Sequence, residues 1–541
     1  MNVRRRIATN ILGLSFLLCP VASFSQDALP VEDSGMIEEA EVELIDPEIP
    51  ISENAELTNY SDYNYGDCSC AASKAAAGAY KGVFYDNDFS YLCDECYDGR
   101  LLGDCAKRLA IGNCWTVDFG GEFRLRQHNE NNLRTKPLSG NSDNFLLQRT
   151  RLYLNAEYSD WFRFYGEAVD AVSYWEDFSP RSIEVNRFDG INLFADLRLW
   201  HNGCDAELWG RAGRQELLYG AQRLISPLDW SNTRRTFDGA KLMYDGPTWS
   251  VDGWWSRPVA FGQHTADGNV DHNWDTSEED QDFSGVWASR KLASGTSVDV
   301  HFLRLADYRG VRTNANGVSG NADFNMLGAR LKGKRNSWLW EAQGGVQFGD
   351  FADGDISAGF FTLGLGHVWE CHCWKPTLWA YYDWASGDDD PTDTKHGTFN
   401  QYFPLAHKYF GFMDIIGRQN IEDANFLFTI QPVPKVKLLA WYHIFNLQSD
   451  TDALYNAAGN PIYQDPTGGA GGEIGQELDL VVNWSVTPRV NLLFGYSHFW
   501  AGNFFDDGTI QNSGTPAGGI ASNGADGNDA DFYYTQMQIR F

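Results

Sequence analysis

Arginine and glutamate recur at alternate positions in two stretches of this 541-residue sequence. Glu122, Arg124 and Arg126 follow one another at that spacing, and so do Arg149 and Arg151. Residues two apart in an extended strand point to the same side, so each stretch would present its charges on one face. A guanidinium group is a planar fork that can hold a carboxylate through two parallel hydrogen bonds. The pattern therefore indicates either a surface that binds carboxylate-bearing molecules or a set of internal ion pairs.

Strand-like alternation continues to the end of the chain. Met537, Ile539 and Phe541 fall on one face of the last segment, and Gln536 and Gln538 fall on the other. A period of two closed by a terminal aromatic residue is typical of the last strand of an outer-membrane β-barrel, with one face toward lipid and one toward the lumen. The alternative is an edge strand of a soluble β-protein. The terminal Phe541 also resembles the signal that barrel-insertion machinery recognises, which predicts that machinery as a partner.

Residues 1–25 have the pattern of a secretory signal. Three arginines at 4–6 precede a short apolar stretch at 11–21, and the small residues Ser23 and Ser25 allow cleavage before Gln26. The apolar stretch is too short to span a bilayer, and no later segment offers about 18 consecutive apolar residues. A mature chain that resides in a membrane must then be a closed barrel, which satisfies every backbone polar group in lipid.

The composition agrees with a barrel and excludes a nucleic-acid-binding protein. The chain contains 20 Trp, 24 Tyr, 34 Phe and 54 Gly, and 43% of its residues are hydrophobic, yet the mean hydropathy is −0.40. A barrel places its apolar residues at alternate positions, so its average hydropathy resembles that of a soluble protein. The formal net charge is −31, and the sequence has no basic stripe that could bind phosphates.

Turn chemistry predicts how many strands the barrel has. Tight connections are indicated near 159–160, 201–204, 245–247, 294–295, 334–336, 371–373, 432–434 and 487–488. Longer polar stretches alternate with them, near 129–144, 175–189, 218–232, 262–281, 309–321, 350–356, 389–420, 450–473 and 503–530. Eight turns and nine loops join 18 antiparallel strands. In such barrels the short turns are periplasmic and the long loops are extracellular.

Strand parity places the arginines inside this barrel. In 145–158, Leu152 and Leu154 would face lipid, and Arg149 and Arg151 would face the lumen. The same alternation directs Arg124, Arg126 and Arg163 inward. A charge on the lipid face at the bilayer midplane would cost roughly 2–4 kcal/mol, so energy and parity favour the same assignment.

Two stretches of the sequence resemble the alginate-export family of outer-membrane porins. The first comprises Gly213–Leu217, Tyr219-Gly220, Arg223–Ile225 and Asp229–Gly239, and the second comprises Phe399–Pro404 and His407–Asp414. The resemblance covers about 116–541. It implies an 18-stranded barrel with an arginine-rich constriction that passes anionic polyuronate chains.

Parity and resemblance together predict a substrate pathway lined by nine arginines. They are Arg124, Arg126, Arg149, Arg151, Arg163, Arg214, Arg223, Arg234 and Arg235. The family motif carries Arg214, Arg223, Arg234 and Arg235, and the others match by strand and residue type. The predicted function is passage of an anionic, alginate-like polysaccharide or oligosaccharide across the outer membrane. The alternatives are a general or small-solute porin, in which these arginines only satisfy lumenal acids, and an outer-membrane barrel enzyme.

The residues before the barrel are predicted to form two further parts. Residues 26–62 contain no Lys or Arg and read as a disordered acidic linker. Residues 63–115 read as a small Cys-rich periplasmic module, which could instead anchor the protein. Its cysteines are Cys68, Cys70, Cys93, Cys96, Cys105 and Cys114. An oxidising periplasm favours disulfides over zinc ligation, with connectivity left open.

Catalysis is the weakest of the function classes. Runs of aspartate at 388–390 and 506–507 are tempting as acids, but consecutive carboxylates on a loop are more often a solvated tip. No Gly-x-Ser-x-Gly or His-Glu-x-x-His motif occurs. The sequence therefore predicts a non-enzymatic protein without cofactor or metal, in contact with outer-membrane lipid and an anionic saccharide or small solute.

Overall fold

The structure is a computed structural model. It describes residues 71–94, 97, 101–203, 205–260, 274–292, 295–315, 317–352, 354–390, 393–506, 511–512 and 527–541. Within these residues, no helix is both long and apolar enough to cross a membrane.

One antiparallel barrel dominates the described chain. Its sheet has 20 strands, of which Leu109–Ile111 and Lys395–His396 are short additions, leaving 18 in the barrel wall. In chain order these are β1 (Trp115–Asn131), β2 (Asp143–Tyr158), β3 (Phe162–Tyr174), β4 (Asn186–His201), β5 (Glu207–Gln215), β6 (Phe237–Asp245), β7 (Ser250–Pro258), β8 (Gln281–Lys291), β9 (Thr296–Thr313), β10 (Ser319–Arg335), β11 (Trp338–Phe351), β12 (Gly354–Val368), β13 (Thr377–Ala385), β14 (Ile421–Val433), β15 (Val436–Asn446), β16 (Glu473–Thr487), β17 (Val490–Ala501) and β18 (Ala530–Arg540).

Closure of the barrel comes from pairing of the first and last strands. β1 pairs with β18, where Glu122 lies opposite Arg540. Phe541 continues this pairing, since its amide donates to the carbonyl of Gly121 at 3.0 Å and its own oxygen accepts from the Gly121 amide at 2.8 Å. A closed barrel has no unpaired edge strand. The predicted count of 18 strands is confirmed.

The two faces of the wall differ as the alternation predicts. Leu152 and Leu154 on β2 are 41% exposed, whereas Arg149 and Arg151 on the same strand are fully buried in the interior. Large apolar side chains are exposed around the whole exterior, among them Leu193, Leu242, Val346, Leu365, Phe426 and Leu480. The exterior is thus an apolar belt suited to lipid. The interior holds the charged side chains together with a large buried cluster of aromatic and aliphatic side chains.

Two expected loops prove to be short. β11 runs to Phe351 and β12 begins at Gly354, so the predicted loop at 350–356 is mostly strand. The predicted loop at 309–321 shrinks likewise, because β9 continues to Thr313 and β10 begins at Ser319. Polarity misled the prediction there. Strands that continue past the lipid belt carry polar residues while keeping their ladder, as at Asp350 opposite Asp355.

Two loops at the long-loop end of the barrel fold into the lumen. They are residues 216–236, between β5 and β6, and residues 401–420, from the connection between β13 and β14. They pair with each other: the Phe403 amide donates to the Leu224 carbonyl and the Ser226 amide to the Phe403 carbonyl, both at 2.9 Å. Nearly every residue from 401 to 420 is buried. The expectation that the whole of 389–420 is a surface loop is therefore wrong for its second half, whose many apolar residues are buried inside the barrel.

The segment before β1 occupies the short-turn end of the lumen. It contains a short helix, Ala71–Ala77, and 3-10 turns at Phe84–Asp86, Ser90–Cys93 and Asp104–Ala106. Its aromatic residues share one cluster with Tyr153, Tyr165 and Phe194 of the barrel interior. This part of the predicted 63–115 module therefore lies within the barrel, and we call its described residues within 71–107 (71–94, 97 and 101–107) the N-terminal plug.

The expected disulfide staple is not supported by the described cysteines. Cys93 and Cys114 are exposed free thiols, and Cys105 is also exposed. Cys68, Cys70 and Cys96 lie outside the described residues, so pairing among them stays a prediction. Cys371 and Cys373 are exposed and free in the connection between β12 and β13.

We expect a membrane-impermeant maleimide to distinguish the two ends of the barrel on intact cells. Asp389 is exposed at the long-loop end and Cys371 and Cys373 at the short-turn end. An Asp389→Cys variant should be labelled on intact cells, and Cys371 and Cys373 only after the outer membrane is permeabilised. Mass mapping of the labelled peptides measures this. Labelling of Cys371 and Cys373 on intact cells, with Asp389→Cys protected, would invert the orientation.

Candidate functional site

Arginines of β1 and β2 hold the inward loop 216–236 against the barrel wall. Arg149 donates to the Glu122 carboxylate at 2.7 and 3.0 Å and to Asp229 Oδ1 at 2.8 Å. Arg124 donates to the backbone carbonyls of Asp229 at 2.8 Å and Ser231 at 2.5 Å. The predicted lumenal position of Arg124 and Arg149 is observed, but their donors face an internal loop.

Arg126 stands apart from the other lumenal arginines of β1 and β2. Its guanidinium lies 3.8 Å from the centroid of the Trp230 ring, and its Nε and Nη1 atoms have no hydrogen-bond partner among the described residues. The other face of Trp230 stacks on His407 at 3.7 Å, and His407 stacks on Phe412 at 4.9 Å. A column of stacked groups therefore crosses the lumen from β1 to the second inward loop. The buried guanidinium of Arg126 lies at the β1 end of this column and pairs with no carboxylate of the described residues.

Two further predicted arginines are engaged by glutamates. Arg151 donates from Nε to Glu167 at 2.7 Å, and Arg234 donates from Nε to Glu216 at 2.5 Å. Arg234 also forms an ion pair with Asp229. All of these groups except Asp229 are essentially inaccessible to solvent. These two arginines therefore agree with the alternative prediction that lumenal arginines only pair with lumenal acids.

Arg223 and Arg235 join the inward loops to each other and to the far wall. Arg223 makes a two-pronged contact with Glu341 on β11, at 2.6 and 3.1 Å. Arg235 donates to the carbonyl of Pro404 in the other loop at 3.0 Å. Burial lowers the pKa of Arg235 to about 10. Both arginines thus hold the inward loops in place inside the lumen.

Arg163 and Arg214 lie in different environments. Arg163 faces the lumen, as predicted, and donates to Asn155 at 2.6 Å and to the carbonyl of Tyr85 at 2.5 Å. Arg214 instead pairs with Asp238 at 2.8 and 3.1 Å. Those two residues lie on the outward face of β5 and β6, the face on which Leu242 is exposed. The lumenal position expected for Arg214 is therefore not observed.

The lumenal arginine of β5 is Arg211, which the sequence analysis missed. It donates to both oxygens of Asp196 on β4, at 2.7 and 2.9 Å. Alternation within β5 carries the signal, because Arg211 and the buried Gln215 share one parity and Arg214 has the other. The family motif includes Arg214 but does not predict which face of the strand this residue lies on.

An acidic sector on β14, β15 and β16 was also missed. His443 contacts Asp423 at 2.9 Å, and Glu477 accepts a hydrogen bond from the Met413 amide at 3.0 Å. Asp479, two positions after Glu477, is likewise buried. Period-two spacing of Glu477 and Asp479 was the available signal. Glu477 and Asp479 hold the second inward loop, since they accept hydrogen bonds from the amides of Met413 and Phe412.

A closed 18-stranded barrel with an apolar exterior, a charged lumen and inward loops is an outer-membrane transport barrel with the architecture of a porin. The chain belongs to the alginate export family, since the model of that family, described as alginate export, matches residues 115–517. No curated protein matches the chain.

Several solved outer-membrane proteins are similar to this chain in structure. OpdO of Pseudomonas aeruginosa is 11% identical with a TM-score of 0.49, and the match covers 78% of this chain and 97% of that one. OccAB1 of Acinetobacter baumannii is 9% identical with a TM-score of 0.49 over 79% and 96% of the two chains. A BenF-like porin of Pseudomonas fluorescens Pf-5 is 11% identical with a TM-score of 0.48 over 79% and 98%.

Proposed function

We propose that this protein passes an anionic, alginate-like polysaccharide or oligosaccharide across the outer membrane. The observation that carries the proposal is the run of arginines on the lumenal faces of β1–β5, all buried except the partly exposed Arg163, in a chain of the alginate export family. Five of the predicted arginines, Arg124, Arg126, Arg149, Arg151 and Arg163, lie in this run, and Arg211 joins them.

Arg126 is the arginine best suited to meet a solute carboxylate. Its unpaired donors lie in a poorly solvated interior, where an approaching anion is attracted more strongly than in water. Trp230 and His407, which stack beyond it, belong to the inward loops. A displacement of those loops would bring Arg126 into contact with the pathway. The paired arginines contribute a weaker field, because their acids cancel much of it.

A second candidate is a porin for small solutes without polyuronate specificity. Its support is the number of internal ion pairs, such as Arg151 with Glu167 and Arg223 with Glu341. Recognition of the terminal Phe541 by barrel-insertion machinery remains a prediction under either function.

We expect Arg126→Gln to lower the ratio of anion to cation permeability about fivefold in planar bilayers. A unit charge about 10 Å away, at a dielectric approaching that of water, attracts an anion and repels a cation by about 0.5 kcal/mol each. The two ions then differ by about 1 kcal/mol, which corresponds to that factor. Arg304→Gln is the matched control, because Arg304 is 41% exposed on the outer face and pairs with Asp323. A native pore that prefers cations, or an Arg126→Gln variant with unchanged selectivity, would contradict the polyuronate proposal and favour the small-solute porin.

A further inference from the structure

We infer that the N-terminal plug, residues 71–107, is a displaceable gate that occupies the lumenal arginines in place of a solute carboxylate. The inference rests on the proposed function, because it takes the arginines to be the solute's site. It adds that the plug and the anionic solute compete for the lumenal arginines at the short-turn end, so that only one of the two contacts these arginines at a time.

The plug contacts the arginine run with groups that an anionic sugar could replace. Arg234 donates to the carbonyl of Gly82 at 2.8 Å, and Arg163 donates to the carbonyl of Tyr85. The Arg151 guanidinium lies 3.8 Å from the ring centroid of Phe84. The plug thus supplies neutral acceptors and a ring face to the arginines. A carboxylate would add charge–charge attraction at the same donors, and it can hold a guanidinium through two parallel hydrogen bonds, which a single carbonyl cannot.

A second anchor lies at the rim of the short-turn end. Arg489, in the turn between β16 and β17, donates to the Ala76 carbonyl at 2.8 Å and to Tyr91 Oη at 2.6 Å. It also pairs with Asp104 at 3.3 Å, and Tyr91 donates to the same carboxylate at 2.7 Å. Arg489 therefore contacts the plug at three residues, Ala76, Tyr91 and Asp104.

The connection of the plug to the wall is suited to a hinge. Leu109–Ile111 pairs with the start of β1, with Leu109 opposite Val117, so the chain is held just after the plug ends. Arg108, between the plug and this short strand, has a positive φ of 53°. The residues of the plug that the structure describes, 71–94, 97 and 101–107, contain no strand that pairs with the barrel. The plug is held by side chains and ring packing, which can be exchanged without breaking the barrel ladder.

The closed state is stabilised by apolar burial. Tyr80, Phe84 and Phe89 are nearly inaccessible to solvent, and they form one cluster with the lumenal Tyr153. Displacement exposes these rings, so it requires a ligand that binds the open lumen better than the closed one. A polyanion that contacts several arginines at once meets this requirement better than a single small anion.

Thiol labelling of a buried plug residue tests the gate in the full-length protein. A Phe84→Cys variant in detergent is treated with a maleimide. The new thiol should be labelled at least about tenfold faster when an alginate oligosaccharide is present than when a neutral oligosaccharide of equal length is present. Cys371, which is exposed at the rim, supplies the internal rate control. Leu92→Cys, in the same cluster, serves as a second reporter if Phe84→Cys does not fold.

Arg489→Gln should raise the labelling rate and the mean conductance several-fold without any oligosaccharide, because it removes the rim anchor. Arg198→Gln is the matched control, since Arg198 pairs with Asp160 at the same end and has no described contact with the plug. Labelling of Phe84→Cys that is unaffected by both the oligosaccharide and Arg489→Gln would overturn the gate. The proposed function would then still stand if Arg126→Gln lowers anion selectivity. Labelling that rises with Arg489→Gln while Arg126→Gln changes nothing would keep the gate and remove the polyuronate proposal.

Discussion

Replacing Glu341 with leucine is expected to lower the free energy of unfolding by about 3–5 kcal/mol, because it removes the buried carboxylate that pairs with Arg223 and Arg330 in the interior. Glu341 Oε1 accepts from Arg223 at 2.6 Å and from Arg330 at 2.7 Å, and Oε2 accepts from Arg223 at 3.1 Å. Arg223 belongs to the inward loop 216–236 and Arg330 to β10. Loss of this carboxylate should therefore also release the loop from the far wall.

Urea unfolding in lipid vesicles, followed by tryptophan fluorescence, measures the change. Asp323→Leu is the matched control, since it also leaves an arginine, Arg304, without its acid. The Arg304–Asp323 pair is partly exposed on the outer face, at 41% and 29%, and exposed pairs contribute about 0–1 kcal/mol. Equal losses in the two variants would show that the interior around Glu341 is as well solvated as the outer surface.

An arginine in place of Val346 should destabilise the membrane-inserted barrel by about 2–4 kcal/mol. Val346 lies near the middle of β11 and is 59% exposed on the outer face, opposite the exposed Leu327 of β10. A guanidinium at that depth must be desolvated or must distort the bilayer. The fraction of protein that inserts into vesicles should fall with the stability.

Tyr308→Arg tests the depth dependence of this cost. Tyr308 is also outward and 50% exposed, but it lies toward the long-loop end of β9 beside Asp323. A charge near the interface costs about 0–1 kcal/mol, so this variant should insert almost normally. If both variants lose the same stability in urea titrations from vesicles, the assignment of the exterior belt to lipid is wrong.

The wall of the barrel was predictable from the sequence because lipid acts on each residue separately. Leu152 and Leu154 must face outward, and Arg149 and Arg151 must face inward, whatever their neighbours are. The free-energy cost of placing a charged side chain in lipid applies at every second position of each strand. Turn chemistry therefore contained the strand count, and local alternation contained the terminal strand at Phe541 and the lumenal position of most of the arginines.

The content of the lumen depended on contacts between distant segments. Arg223 meets Glu341 across 118 residues of chain, and Arg489 meets Ala76 across 413. No local period distinguishes a polar loop that stays outside from one that folds inward, as residues 401–420 do. The Cys-rich spacing likewise suggested a stapled module and did not reveal the plug.

The sequence by itself determined an 18-stranded barrel with a charged interior, because the energetic cost of placing a charge in lipid constrains each position independently. Only the tertiary structure decided which arginines are paired, that Arg126 pairs with no carboxylate of the described residues, that Arg214 faces outward, and that two loops and the N-terminal plug lie in the lumen. Inside the barrel, ion pairs and ring packing set the energies. These depend on the partner that each group meets, and only the folded chain brings the partners together.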